Sequence, residues 1–390
     1  MEKIVTDKAD AKNIKIYFKN LNAIRCIAAF LVIVHHIEQF KDIFHLPNHW
    51  SNSVIESIGR LGVILFFVLS GFLISYLLFK EEEVTNTISI KDFYIRRILR
   101  IWPLYFLIII TSLFVLPNIE FFTLEGFGKQ VVWDNLFYKI ILFIFFLPNL
   151  VLNLFGFIPY ASQTWSIGAE EQFYLVWPGL NKKIINKWSL LFGVIFFYIL
   201  VKFSIQFFPS QIKQVFKGFW LSTPIDCMAI GGIFALIIYD ATPIVLLIRK
   251  ILFSKIIQFI ALALTLFLIT INYHLPILDQ YFHFEMYAVL FGILIANFAA
   301  NQNRIFSMEN KISNYLGKIS YGMYMYHPII IVFCIKIGIM FNIIDNFVLY
   351  PIVFLLVVLL SSLSYEFYEK RFINKKARYS KIISGDSAKL

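Results

Sequence analysis

Apolar runs close to membrane length recur from Leu21 to Tyr368, and basic residues crowd the gaps between them. A helix needs roughly 20 mostly apolar residues to cross a bilayer. Lipid-exposed backbone must be satisfied within its own segment, so such runs are read as helices. A mean hydropathy of +0.74, with 59% hydrophobic residues, excludes an ordinary soluble domain. The net charge of +11 then needs no nucleic-acid partner, because the basic residues flank the apolar runs as the positive-inside rule expects. Cys26, Cys227 and Cys334 all fall in apolar runs, so no structural disulfide is expected. Met1–Lys19 is polar and lysine-bearing, without a cleavable signal pattern, so the first apolar helix should remain as an anchor.

Lys3, Lys8, Lys12, Lys15 and Lys19 precede the first span and put the N-terminus in the cytoplasm. Span one covers about Leu21–Phe40. The loop with His45, Pro47, His49 and Trp50 has few cations and is expected outside. Span two, about Ile58–Phe79, carries Gly62, Ser70, Gly71 and Ser75, small residues that allow close helix contact. A charged stretch ending in Arg96, Arg97 and Arg100 comes next, and span three runs from about Ile101 to Leu116 with Pro103 in its first turn.

Asn118–Gln163 is the ambiguous part. Leu136–Leu147 is apolar but short, and Pro148 and Pro159 interrupt the chain beyond it. Two full crossings here would put Lys182, Lys183 and Lys187 outside, whereas one net crossing keeps them inside. Asn118–Gln163 is therefore read as an external segment that dips into the membrane, with Trp165–Pro178 as span four. Later spans cover about Trp188–Phe208, Phe219–Tyr239, Ile256–Tyr273, Phe284–Ala300, Ile319–Phe341 and Val348–Tyr368. Arg249, Lys250, Lys255, Arg304, Lys311 and Lys318 fall inside, and the loop with His274, Asp279 and His283 outside. The expected fold is an all-α polytopic membrane protein of about ten spans plus a re-entrant external segment, both termini cytoplasmic. Its parts are a cytoplasmic segment 1–19, a membrane domain 20–373 and a basic cytoplasmic tail 374–390.

Several groups of residues inside this apolar frame can carry chemistry. Arg25 and His36 are eleven residues apart. That separation returns them to one helix face, about 16 Å apart along the axis, and turns His35 about 80° away. Ionisable side chains in a lipid-buried helix are costly and usually face a protein interior or a watery cavity. A histidine near its ordinary pKa suits a general base or an acyl acceptor. Arg96, Arg97 and Arg100 suit bidentate binding of phosphate oxygens, although spacing alone favours ordinary flanking charge. Ser166, Glu170 and Tyr174 keep i, i+4, i+8 spacing and share a helix face, beside Glu171. Asp226 places a carboxylate inside span six, and Tyr321, Tyr324 and His327 enter span nine. No metal-ligand cluster, P-loop or dinucleotide glycine motif is present in the sequence.

Taken together these stretches resemble acyltransferase family 3, the integral-membrane acyltransferases that modify surface glycans. NAIRCIAAFLVIVHH is similar to the family's opening block, and LFFVLSGFLIS, RRILRIWPLYF, TWSIGAEEQFYLVWP, SYGMYMYHP and FYEKRF come in the family's order over about residues 20–373. The resemblance implies Arg25 and His36 as the essential pair, Arg96, Arg97 and Arg100 near the acyl donor, and Ser166, Glu170 and Tyr174 as an external-side motif. Asn22 stands where many members have aspartate, Pro224 interrupts the spacing before Asp226, and Arg371 replaces a usual proline.

The resemblance further implies a membrane-bound O-acyltransferase of a bacterial plasma membrane. It would move an acetyl group from acetyl-CoA to a hydroxyl of a cell-surface or lipid-linked glycan. His36, Arg25 and Glu170 would be catalytic, Arg96, Arg97 and Arg100 would bind the donor, and Ser166, Tyr174, Asp226 and His327 would complete the site. No metal is expected. Many relatives carry an extracytoplasmic esterase-like domain; without one, transfer to the acceptor is expected in the membrane domain or through a separate envelope partner. The rival reading is a transporter or flippase for a lipid-linked sugar or small anion. Against it, the sequence has no repeated half and no paired broken helices.

Overall fold

The computed structural model describes residues 14–271 and 276–384, with backbone alone for 210–212, 276–281 and 384. Lys3, Lys8, Lys12, Tyr273 and His274 lie outside the described residues, as does the Asp279 side chain. The described chain is helical almost throughout. It opens on a short strand, β1 (Ile14–Ile16), followed by α1 (Leu21–Ile43), α2 (Ser53–Thr85) and α3 (Ile90–Ile110). Polar side chains set the helix starts. Asn52 accepts from the Val54 and Ile55 amides, and Ser89 accepts from the Asp92 amide. Asn86, in the left-handed region at φ 55°, ends α2, where a short polar side chain tolerates that backbone.

The segment after α3 contains only short helices: α4 (Lys129–Trp133), α5 (Leu136–Ile144) and α6 (Pro148–Phe155). At 1.5 Å per residue neither α5 nor α6 exceeds about 14 Å, too short to cross. Their junction is irregular, with Phe146 at φ 56°. Its carbonyls are nevertheless satisfied: Tyr105 donates to Phe143 O (2.9 Å) and the Gln172 amide to Phe146 O (2.9 Å). Such partners are what irregular backbone needs at membrane depth. In this region only α7 (Trp165–Lys183) has the length to cross.

The rest comprises α8 (Lys187–Ser204), α9 (Ser210–Leu221), α10 (Ile225–Tyr239), α11 (Pro243–Leu252), α12 (Lys255–Ile271), α13 (Pro276–Ala300), α14 (Lys311–Phe341), α15 (Asn346–Ser364) and α16 (Lys370–Ile373). A final strand, β2 (Ile382–Ser384), pairs in parallel with β1, Ile14 opposite Ile382. Ile14–Ile16 and Ile382–Ser384, from the two flanks of the membrane domain, thus join in one small sheet.

Among the described residues eight helices are long and apolar enough to cross a membrane, or nine when α11 and α12, bent by 59°, count as one span. The chain is a multi-pass membrane protein. The expected number was ten, and the missing one is α7: it has the length but carries Glu170 and Glu171 in its middle. Its polar face is covered by protein rather than lipid. Span three also differs, because α3 begins at Ile90 and not at Ile101. Pro103 is therefore inside the helix, where it removes a backbone donor. Tyr321 donates to Ile101 O (2.9 Å) and Tyr368 to Pro103 O (3.1 Å) beside it.

Helix α2 is central, packed by α1, α10, α13 and α7. It approaches α10 at backbone contact: a Cβ on Gly71 would lie 1.9 Å from Met228 O, and one on Gly231 2.1 Å from Val68 O. Small residues permit such contact where no hydrophobic effect drives helices together. Helices α1, α2, α3, α7 and α14 leave a gap between them, and that gap is a cavity with polar walls.

Candidate active site

Five helices line a cavity of about 100 Å³. Arg25 of α1, Arg97 and Arg100 of α3, and Ser320 and Tyr321 of α14 lie toward the end that carries β1 and β2. Ser70 of α2 and Glu170 and Tyr174 of α7 form the middle, and Ser166 and Tyr324, with Val63 and Phe66, the far end.

Each polar wall residue is held by specific partners. Arg25 donates to Asn22 Oδ1 (2.9 Å), so the residue that replaces the family's aspartate still orients the arginine, without a charge. Glu170 accepts from Ser70 Oγ (2.8 Å) at one oxygen and from the Tyr174 hydroxyl (2.9 Å) at the other. The Arg97 guanidinium carbon lies 5.6 Å from the Tyr174 ring centre and 5.7 Å from that of Phe93, in cation–π range. Tyr324 donates to Gln163 O (2.8 Å), which leaves Ser166 Oγ to donate to the Tyr324 hydroxyl (2.8 Å).

Beyond Tyr324 lie three imidazoles. The His327 ring is 5.7 Å from Tyr324 and 4.7 Å from His36, and His36 is 4.8 Å from His35. In each ring Nδ1 meets a backbone carbonyl: Ile55 O at 2.8 Å for His35, Val32 O at 2.8 Å for His36, Tyr324 O at 2.6 Å for His327. A carbonyl only accepts, so Nδ1 carries the proton and the neutral ring keeps its lone pair on Nε2. His327 is fully buried, and its Nε2 has no protein partner.

The expected face of α7 is present, since Ser166, Glu170 and Tyr174 all reach the cavity. Arg25 and His36 both turn toward α14, and His35 turns instead to α2, against Ile55. Three placements differ from the sequence reading. Arg96 is not on the cavity wall: it pairs with Glu81 (2.9 Å) and donates to Tyr379 O (2.7 Å). Glu170, expected at an outer mouth away from the arginines, shares one chamber with Arg97 and Arg100. Asp226 is outside the chamber, buried beside Glu285, which pairs with Lys202 at 2.8 Å. His36 lies one layer of side chains beyond the cavity wall, behind Tyr324 and His327. The sequence reading missed Ser70 as a ligand of Glu170, having noted it only as a small residue.

A family model described as an acyltransferase domain matches residues 18–366. The chain belongs to acyltransferase family 3. O-acetyltransferase OatA of Staphylococcus aureus (strain NCTC 8325 / PS 47) is 28% identical over 377 residues, 90% of this chain and 57% of the relative. Peptidoglycan O-acetyltransferase OatA of Listeria monocytogenes is 30% identical over 171 residues, 42% of this chain and 24% of the relative. The chain thus spans about half the length, or less, of the curated relatives it matches. No solved structure matches. The chamber is lined by residues of the arginine and serine–glutamate blocks, and the histidines lie one layer behind it.

Proposed function

We propose that the protein is an O-acetyltransferase that takes an acetyl group from acetyl-CoA and passes it to a hydroxyl of a cell-envelope glycan. The observation that carries this reading is the single chamber that runs from Arg97 and Arg100, past Glu170, to the Ser166–Tyr324 pair, with His36 and His327 next in line. The relatives' printed names, both O-acetyltransferases and one of peptidoglycan, support the reaction and the acceptor class.

In this reading the end of the bundle with β1 and β2 faces the cytoplasm, where the flanking lysines and arginines belong. The donor's phosphates lie on Arg97 and Arg100, as planar forks suited to phosphate oxygens. Its pantetheine arm extends along the chamber past Ser70 and Glu170. The thioester reaches Ser166 and Tyr324, whose hydroxyls turn from their present acceptors, the Tyr324 oxygen and Gln163 O, to hydrogen-bond the carbonyl oxygen as charge develops on it. The acceptor hydroxyl comes from the opposite side, over Trp50, whose ring lies 4.9 Å from His35. His36 Nε2 takes the hydroxyl proton while the oxygen attacks the acyl carbon, the C–S bond breaks and the thiolate leaves. The proton then goes to the thiolate, which departs as free coenzyme A. Arg25, held by Asn22, faces the donor and screens its charge.

The test is transfer of radiolabelled acetyl from acetyl-CoA by purified protein in vesicles, with a peptidoglycan fragment as acceptor. Label on the glycan that disappears with His36→Ala supports the reading. Movement of the glycan across the vesicle with no transfer of label would support a transporter instead and refute it.

A further inference from the structure

The loop between α1 and α2 is built on a buried ion pair. Glu38 and Lys41, in the last turns of α1, have side chains 0% and 1% exposed and lie 2.9 Å apart. Both Glu38 oxygens are used: Oε1 also accepts from the Tyr350 hydroxyl (2.6 Å), and Oε2 from the His49 amide. Lys41 donates a second bond to Asn346 Oδ1 (2.9 Å). A buried pair adds little net stability, because both ions lose their water, although breaking one is costly. What this pair supplies is geometry, since it ties α1, α15 and the loop together at one point. Asn48 tightens the loop further, accepting from the Trp50 amide (2.9 Å) and donating to Leu46 O (2.9 Å).

Trp50, the residue after His49, therefore stands on fixed backbone. Its ring lies 4.9 Å from His35 with the planes at 63°, an edge contact that leaves at least one indole face uncovered by the imidazole. His35 cannot swing away. Its Nδ1 is on Ile55 O, and a Cβ on Gly59 would lie 2.3 Å from its Cγ. His36 follows at 4.8 Å. Trp50, His35 and His36 are partly exposed, whereas His327 behind them is fully buried.

The indole also keeps a spare donor. Of the seven tryptophans, Trp102, Trp133, Trp177, Trp188 and Trp220 give Nε1–H to a protein acceptor. Trp165 does not, but the Arg60 guanidinium lies over its ring at 4.4 Å. Among the described residues Trp50 is the one tryptophan with neither an acceptor for its N–H nor a cation on its ring. A flat apolar face with an N–H at its rim suits a pyranose, which offers C–H groups on its face and hydroxyls at its edge. Aromatic area supplies the binding, and a few polar groups fix the orientation. A tryptophan that only anchors a protein at the membrane interface sits at headgroup level. This one packs inward on the line of histidines.

We infer that the Trp50 indole is the platform for a sugar ring of the acceptor, and that Glu38 is the positioning residue that sets it beside His35. The inference rests on the proposed glycan acceptor and adds a subsite to it. The ligand class is a pyranose held by its apolar face, with an edge hydroxyl directed past His35 to His36 Nε2.

The experiment uses the full chain in lipid vesicles, with acetyl-CoA as donor and a disaccharide fragment of peptidoglycan as acceptor. Trp50→Ala should raise the acceptor KM about tenfold or more, the scale of a lost tryptophan anchor. Its KM for acetyl-CoA should stay within about threefold of wild type. Trp50→Tyr, which keeps a ring with a polar tip, should recover most of the loss. Glu38→Gln keeps the side-chain shape but loses the charge that holds Lys41, and it should raise the acceptor KM as well. In the double variant the acceptor KM should match that of Trp50→Ala alone, because Glu38 acts through Trp50. In wild type the disaccharide should slow oxidation of Trp50 by N-bromosuccinimide several-fold and leave Trp133, which is 37% exposed, unaffected.

An unchanged acceptor KM in Trp50→Ala overturns the inference, and the ring is then an interface anchor. A fall in kcat at unchanged acceptor KM overturns it too, since the indole would then only steady His35. Effects of Glu38→Gln and Trp50→Ala that multiply in the double variant refute the positioning role of Glu38. If the disaccharide protects Trp50 but receives no acetyl, the subsite stands and the transferase reading falls. If acetyl is transferred and Trp50 is oxidised equally with and without the disaccharide, the reading stands and the subsite falls. Should Trp50→Ala fail to accumulate folded, this oxidation assay on wild type decides alone.

Discussion

The Tyr324 hydroxyl lies 2.8 Å from Ser166 Oγ, and this contact closes the chamber from the histidines. Two helices with no sequence proximity, α7 and α14, meet there. Tyr324 spends its own proton on Gln163 O, so Ser166 is the donor of the pair. Tyr324→Phe removes that acceptor and one donor while keeping the ring between Phe66 and His327. Turnover should fall about 10²-fold, the scale of losing one oxyanion donor, with donor affinity within about threefold. Acetyl transfer at saturating acetyl-CoA checks this. A rise in KM at unchanged kcat would show that the hydroxyl only helps to bind.

His36→Ala should reduce transfer by at least about 10²-fold, the usual contribution of a general base. His327→Ala should also impair it, since the His327 ring packs edge-on against His36 at 4.7 Å. His35→Ala should be milder, because His35 is tied to Ile55 and Trp50 on the α2 side. The measurement is transfer rate at matched expression in membranes. Equal losses from His35→Ala and His36→Ala would refute the assignment of His36 as the reacting imidazole.

The range of the forces involved decides how much of this was legible in the sequence. Helix periodicity is local, and it put Ser166, Glu170 and Tyr174 on one face and separated His35 from His36. Apolar runs located the spans, and the order of six short blocks pointed to the family. What local pattern does not carry is which charges face one another across the bundle. Arg96 turns away from Arg97 because Glu81 and Tyr379 O, the latter 283 residues further on, compete for it. Glu170 reaches the arginine chamber because Ser70 on α2 fixes the depth at which α7 packs. Asp226 faces Glu285 and Lys202 on helices that lie far apart in the chain. Charge bookkeeping, not hydropathy, made α7 a span: Glu170 and Glu171 in its middle keep it below the apolarity of the other long helices.

The α2–α10 contact gives a stability test that does not involve the chamber. Replacing a helix-interior glycine by alanine gains up to about 1 kcal/mol of propensity. At Gly71 the added Cβ would lie 1.9 Å from Met228 O, and overpacking of that kind costs about 1–3 kcal/mol. The clash therefore wins, and Gly71→Ala should lower the Tm. Gly193→Ala, where nothing lies within 4 Å, should leave it unchanged or raise it. Thermal unfolding in the same detergent compares them, and an unchanged Tm for Gly71→Ala would mean that the two helices can separate at little cost.

If Arg97 and Arg100 hold phosphates, replacing both by glutamine should raise the donor Kd at least about tenfold and flatten its dependence on salt. Flanking charge predicts otherwise: affinity would be unchanged and only insertion would suffer. Coenzyme A binding to the purified variant at two salt concentrations separates these outcomes.

The two-sided mechanism depends on the side of the membrane on which the α4–α6 segment lies. Neither α5 nor α6 can cross, and α7 is the one helix of full length between them and Lys182. The segment and Lys182 should therefore lie on opposite faces of the membrane. Gln163 is a poor reporter, since it is buried, with its amide on Tyr160 O and Met325 O. Glu125 and Asp134 are exposed on the segment, and Lys182 is exposed past the carboxylates of α7. Single cysteines at Glu125 and Asp134, with Cys26, Cys227 and Cys334 changed to serine, should react with an impermeant thiol reagent on intact cells. A cysteine at Lys182 should react only after the membrane is opened. The donor arginines would then lie on the Lys182 side and the histidines nearer the other. Labelling of Lys182 from outside would place donor and acceptor entrances on the same face, and the transfer route through Tyr324 would have to be abandoned.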